Sequence, residues 1–93
     1  MHAIIVHVTF KPGREADAGR ELEAIVVPNA SKAPGFSGGY LVRSEDGTHG
    51  ISVELFDSLE NATEEAGRRS SGFPAEAAVT TDSDGVFEVT ASV

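Results

Sequence analysis

The sequence predicts an α+β fold of the ferredoxin-like type, βαββαβ, with a four-stranded antiparallel sheet and both helices on one face. Three observations carry that expectation. Four stretches suited to strands alternate with two helical stripes in the order strand, helix, strand, strand, helix, strand. An Asp-Gly turn joins the second and third strands, as a tight antiparallel hairpin requires. The first strand, Ile4-Ile5-Val6-His7-Val8-Thr9-Phe10, is largely apolar on both faces, whereas the two helices cover only one. The other face needs a cover of its own, and a second copy of the chain, pairing sheet to sheet, is the expected one.

Met1 to Phe10 reads as the first strand on β-branched content and alternation. Lys11-Pro12-Gly13 breaks it: proline fixes φ, glycine permits a left-handed turn, and a helix follows from Arg14 or Glu15. Ala18, Leu22, Ile25 and Val26 form its apolar stripe. Pro28 distorts the helix, which stops by about Lys32. Pro34-Gly35 turns the chain into a second strand, Phe36 to Ser44, in which Gly38-Gly39 mark a bulge or a close backbone approach. After Glu45-Asp46-Gly47 the third strand runs from Thr48 to Phe56. Asp57 or Ser58 caps a second helix with Leu59, Ala62 and Ala66 inward, limited by Gly67 and Ser70-Ser71-Gly72. Pro74 opens a short helical turn through Ala75, Ala77, Ala78 and Val79. Asp82-Ser83-Asp84-Gly85 reads as a turn, and Val86 to Ala91 as the last strand.

Sorting strand residues by side puts Ile4, Val6, Val8 and Phe10 toward the helices, and Ala3, Ile5, His7 and Thr9 away. In the third strand His49, Ile51, Val53 and Leu55 are expected to face the helices, leaving Ser52, Glu54 and Phe56 on the helix-free side. The resulting mixed face fits a partner sheet that encloses a small, partly polar cavity.

A chain of 93 residues is expected to form one domain, 1–93, with a light core that association would support. It has no cysteine, so disulfides, thiolate nucleophiles and cysteine metal sites are excluded. No basic leader precedes an apolar run and no stretch approaches the roughly 18 apolar residues of a membrane span, so a cytoplasmic location is the expectation. The formal charge of −8, with no basic stripe, argues against nucleic acid and anionic membranes as partners.

The segments His7-Val8-Thr9-Phe10-Lys11-Pro12-Gly13, Ala33-Pro34-Gly35-Phe36-Ser37-Gly38-Gly39 and Ser52-Val53-Glu54-Leu55-Phe56-Asp57-Ser58 are similar to those of the dimeric α+β barrel superfamily, specifically antibiotic biosynthesis monooxygenase-like domains. The resemblance spans roughly Ile4 to Ala66. It implies a homodimer with sheets packed face to face, and a cofactor-independent oxygenase acting on a small aromatic or quinol-type compound. Some proteins of this kind degrade haem, for which His7 and His49 would be the candidate iron ligands here. The chain departs from the polyketide and haem enzymes in having no tryptophan, and its two asparagines, Asn29 and Asn61, both fall in helices.

The candidate catalytic residues are His7, Tyr40 and Glu54. Imidazole titrates near working pH, so His7 is suited to deprotonate a phenol or enol, although a packed interface histidine is the plainer role. Tyr40 can hold a substrate oxygen or pack at the dimer face, its facing left open by Gly38-Gly39. Glu54, in mid-strand, needs a donor such as Arg43 or His7 if a partner buries it, with Glu88 a similar candidate. No cofactor is expected. His2, His7 and Glu54 lack compact metal spacing, Asp82, Asp84 and Gly85 lack the rest of a calcium loop, and Glu64-Glu65 with Arg68-Arg69 read as a solvated helix face. Two classes of function remain: an oxygenase, and a non-catalytic dimeric module that binds a small ligand or stabilises an assembly.

Overall fold

A computed structural model describes residues 1–69 and 72–93. The element order is β1 (His2–Phe10), α1 (Glu15–Lys32), β2 (Phe36–Arg43), β3 (His49–Phe56), α2 (Leu59–Arg68) and β4 (Val79–Glu88). The four strands form one antiparallel sheet in the order β2-β3-β1-β4, and both helices lie on one face. This is the ferredoxin-like topology that the element order predicts.

Two apolar clusters fasten the helices to the sheet. Val8 and Phe10 of β1 pack with Ala18 and Leu22 of α1 and with Ala77, Ala78 and Val79. Ile4 packs with Phe56 and with Ala62 of α2, and the Phe36 ring meets that of Phe56 edge-on at 6.0 Å. Gly13 takes the left-handed turn before α1, with φ of 81°, and its amide donates to Glu15 Oε1 at 3.1 Å. Pro28 lies inside α1, which nevertheless continues to Lys32. At the start of α2 the Ser58 hydroxyl accepts from the Asn61 amide at 3.1 Å, a conventional N-cap.

The glycine pair in β2 meets both sequence expectations at once. The register with β3 shifts between Phe36 and Gly38, which is the bulge. At Gly39 the Val53 carbonyl oxygen of the neighbouring strand approaches so closely that a Cβ would collide with it.

Four local expectations are corrected. In β3, Glu54 pairs with Ile4, Ser52 with Val6 and Gly50 with Val8, and directly opposed residues share a face. Gly50, Ser52, Glu54 and Phe56 therefore face the helices, while His49, Ile51, Val53 and Leu55 face away, the reverse of the expected assignment. In α2, Leu59 is 54% exposed and Glu65 occupies the inward position, because the stripe through Ala62 and Ala66 passes through residue 65 instead. In β4 the strand runs straight through Asp82-Ser83-Asp84-Gly85. Its ladder with β1 absorbs the turn-prone residues in a shift at His7/Val8, and Thr9 Oγ1 donates to Asp82 Oδ2 at 2.6 Å. Residues 75–78 form a turn rather than a short helix. Lys11 Nζ donates to the Ala75 carbonyl at 2.6 Å, Arg14 to the Glu76 carbonyl at 2.8 Å, and Glu21 accepts from the Ala78 amide at 2.7 Å. Three charged side chains of the β1–α1 connection and α1 thus hold this turn in place. The expected helix stop at Ser70-Ser71 lies outside the described residues.

Candidate functional site

Between the helix-covered face of the sheet and the two helices lies a cavity of about 510 Å³. That is within the range of roughly 300–1,000 Å³ typical of small-molecule sites. Its position follows from the residues that hold the layers apart. Ser52 is small, so the middle of β3 leaves space above it, and the apolar residues that α2 sets against the sheet, Ala62 and Ala66, are small as well. Ile4, Val6 and Val8 make the floor, Leu22, Ile25 and Val26 one wall, and Phe73 with Pro74 an edge.

The polar groups are few and lie in known positions. Glu54 is 3% exposed and both its oxygens accept from Arg69 Nη1, at 2.8 and 2.6 Å. Arg69 Nε donates to Glu65 Oε2 at 2.7 Å, and Arg68 Nε donates to Glu65 Oε1 at 2.9 Å. Arg69 Nη2 sits 2.6 Å from Glu65 Oε2 but is not aligned to hydrogen-bond with it, so the contact is an ion pair rather than a hydrogen bond. Burial lowers the Arg69 pKa, yet the hydrogen bonds and charges of Glu54 and Glu65 outweigh it and raise the value above that of a free arginine. The guanidinium is a fixed cation tying β3 to the end of α2. The solvated pairing expected for this helix holds only for Glu64 and Arg68.

Glu54 alone of the three candidate residues lines this cavity. Its donor is Arg69, since Arg43 pairs with Gly50 four residues along the strand and His7 is on the opposite face. His7 is exposed on the helix-free side, opposite Ile51 and Ser83. Tyr40 pairs with Val53 on that side too and is 70% exposed. The protomer thus brings His7 and Tyr40 to one face, two strands apart, and Glu54 to the other. His49 also lies on the helix-free side, with its Nδ1 3.4 Å from Thr9 Oγ1. Glu88 is exposed at the end of β4. Among the described residues no group of three His, Asp or Glu side chains is placed to hold a metal ion, and no helix is long and apolar enough to cross a membrane.

Sequence reasoning missed Asn29, Ser52, Arg69 and Asp84 as cavity residues. Asn29 was legible in principle, because it continues the stripe of Leu22 and Val26 at i+7 and i+3. Arg69 carried the i, i+4 signal to Glu65. Ser52 and Asp84 carried none until the register was known.

No family model matches the sequence, and no curated protein matches it. Solved structures match its fold over nearly the whole chain. The haem-degrader MhuD from Mycobacterium tuberculosis, with two haems bound in its active site, is 27% identical over 98% of both chains, with a TM-score of 0.61. A mutant of MhuD with two manganese protoporphyrin IX groups per active site is 23% identical, covering 100% of this chain and 98% of that one, with a TM-score of 0.70. SnoaB, a cofactor-independent oxygenase from Streptomyces nogalater, is 17% identical over 99% of this chain and 96% of its own, with a TM-score of 0.67. The chain has the fold of the antibiotic biosynthesis monooxygenase-like proteins.

Proposed function

We propose that the protein is a cofactor-independent monooxygenase-like protein that takes a small aromatic or quinol-type compound into the cavity between sheet and helices. The observation that carries this reading is the cavity itself, apolar on its floor and one wall and polar at a few fixed points, in a fold shared with a cofactor-independent oxygenase. In such chemistry the substrate supplies the electrons. One atom of dioxygen becomes a carbonyl oxygen on the substrate, and the other leaves as water with one hydrogen from the oxidised ring carbon and one from a substrate hydroxyl. The protein excludes water, orients the ring and accepts a proton. Of the three sequence candidates, Glu54 is the one proposed to meet substrate, whose hydroxyl must compete with Arg69 for a carboxylate oxygen.

The commitment of both Glu54 oxygens to Arg69 favours a second reading, a binding module without catalysis. Haem does not fit. Its iron takes His, Cys, Met or Tyr as protein ligand, and none of these types is among the described residues lining the cavity.

His7 and Tyr40 are assigned to a homodimer interface. The helix-free face joins Tyr40, Val53 and Ile5 in one row and Leu55, Ala3 and Phe87 in the next, an apolar surface that a second copy would cover.

Oxygen uptake with a panel of quinols and polyphenols tests the reading against a Val6→Trp variant, whose indole fills the cavity floor. Saturable uptake lost in the variant supports the oxygenase. Saturable binding without uptake selects the binding module. Neither in the wild type, or equal rates in the two proteins, overturns the cavity as the site.

A further inference from the structure

Resting on the cavity reading above, we infer that the site selects a flat apolar ligand with hydrogen-bonding groups at both ends, held between the Ser52 hydroxyl and the Asp84 carboxylate. The register places these two side chains in one row. Ser52 of β3 pairs with Val6 of β1, and Val6 pairs with Asp84 of β4, so all three point to the helix-covered face. Adjacent strands lie about 4.8 Å apart, which separates Ser52 and Asp84 by about 10 Å across an apolar isopropyl floor. All three residues line the cavity.

Both end groups are available to a ligand. Ser52 is only 7% exposed, and its hydroxyl makes no hydrogen bond to a described residue. The hydroxyl lines the cavity and can turn toward a ligand that enters it. Asp84 is exposed at the β4 side of the cavity and has no ion-pair partner among the described residues. Glu54 and Arg69, by contrast, already satisfy each other. The two ends also differ in chemistry. A carboxylate only accepts, so the ligand must donate at β4, through a phenol or an amine, while Ser52 takes either a donor or an acceptor. A ligand carboxylate at the β4 end would meet like charge.

Equilibrium binding of 2,6-dihydroxynaphthalene and 2-hydroxynaphthalene, to wild type, Asp84→Ala and Ser52→Ala, tests this. The dihydroxy probe is expected to bind the wild type roughly tenfold more tightly, a typical advantage for one hydrogen bond to a charged group. Asp84→Ala should erase that advantage. Ser52→Ala should weaken both probes. Equal affinities in the wild type, or an advantage that survives Asp84→Ala, overturns the two-ended site while the cavity reading stands. Binding of neither probe overturns both.

Discussion

Each face of the sheet carries exceptions to the rule that apolar residues are buried and polar ones exposed. The face under the helices carries Glu54, Ser52 and Asp84, whereas the open face carries Ile5, Ile51, Val53, Leu55, Tyr40 and Phe87. A covered face tolerates charge when the charge is paired, and Glu54 is paired with Arg69. An open face of that composition is not at rest in water: Tyr40, Val42 and Phe87 are each at least half exposed. The covered face thus holds a paired buried charge and a cavity within an apolar core, while the open face is the one proposed to associate.

The comparison breaks most directly at the covered face. Arg69→Ala leaves Glu54 buried without its cation and is expected to cost about 3–5 kcal/mol in chemical denaturation. Phe56→Ala, at a fully buried ring packed against Ile4 and Ala62, is expected to cost a similar 3–5 kcal/mol. The matching change on the open face is Val53→Asp. If that face is covered by a second copy, this substitution shifts sedimentation from dimer to monomer and spares the secondary structure of the protomer. A dimer that persists would show that the open face is not the interface.

Smaller effects sharpen the same contrast. Ser58→Ala removes the cap of the helix that delivers Arg69 and should cost about 1 kcal/mol, with the Glu54 to Arg69 contact retained. Smallest is the hairpin that joins β2 to β3. There the Asp46 carboxylate accepts from the Ser44 hydroxyl and from the Thr48 hydroxyl and amide, which lowers its pKa to about 2 from 3.8. A depressed carboxylate contributes above its unfolded pKa, so this contribution is full above about pH 4 and is lost as pH falls toward 2. Carboxyl chemical shifts followed by NMR should show the late titration, and Ser44→Ala should move it upward.

Much of the fold was legible because local chemistry agreed with it. Pro12-Gly13, Pro34-Gly35 and Asp46-Gly47 each mark a chain reversal, and the stripe through Ala18 and Leu22 is buried as expected. The turn signal at Asp82-Ser83-Asp84-Gly85 failed because a ladder with β1 on both sides outweighed it. The site was less legible. Alternation in β3 separates Ile51, Val53 and Leu55 from Ser52 and Glu54, but it does not say which set lies under the helices. Assigning the apolar set to the core put Ser52 and Glu54 on the wrong face.

What the sequence determined by itself is the order of elements, the places where the chain reverses and the existence of a surplus apolar face beyond what two helices cover. Those depend on φ/ψ preferences and on periodicities of 2 and 3.6, which are local. Only the tertiary structure decided which face is which. Strand register sets Ser52, Val6 and Asp84 in one row, and the end of α2 brings Arg69 onto Glu54, 15 residues away in the chain. These are contacts between distant segments, whose energies depend on pairing that no local pattern encodes.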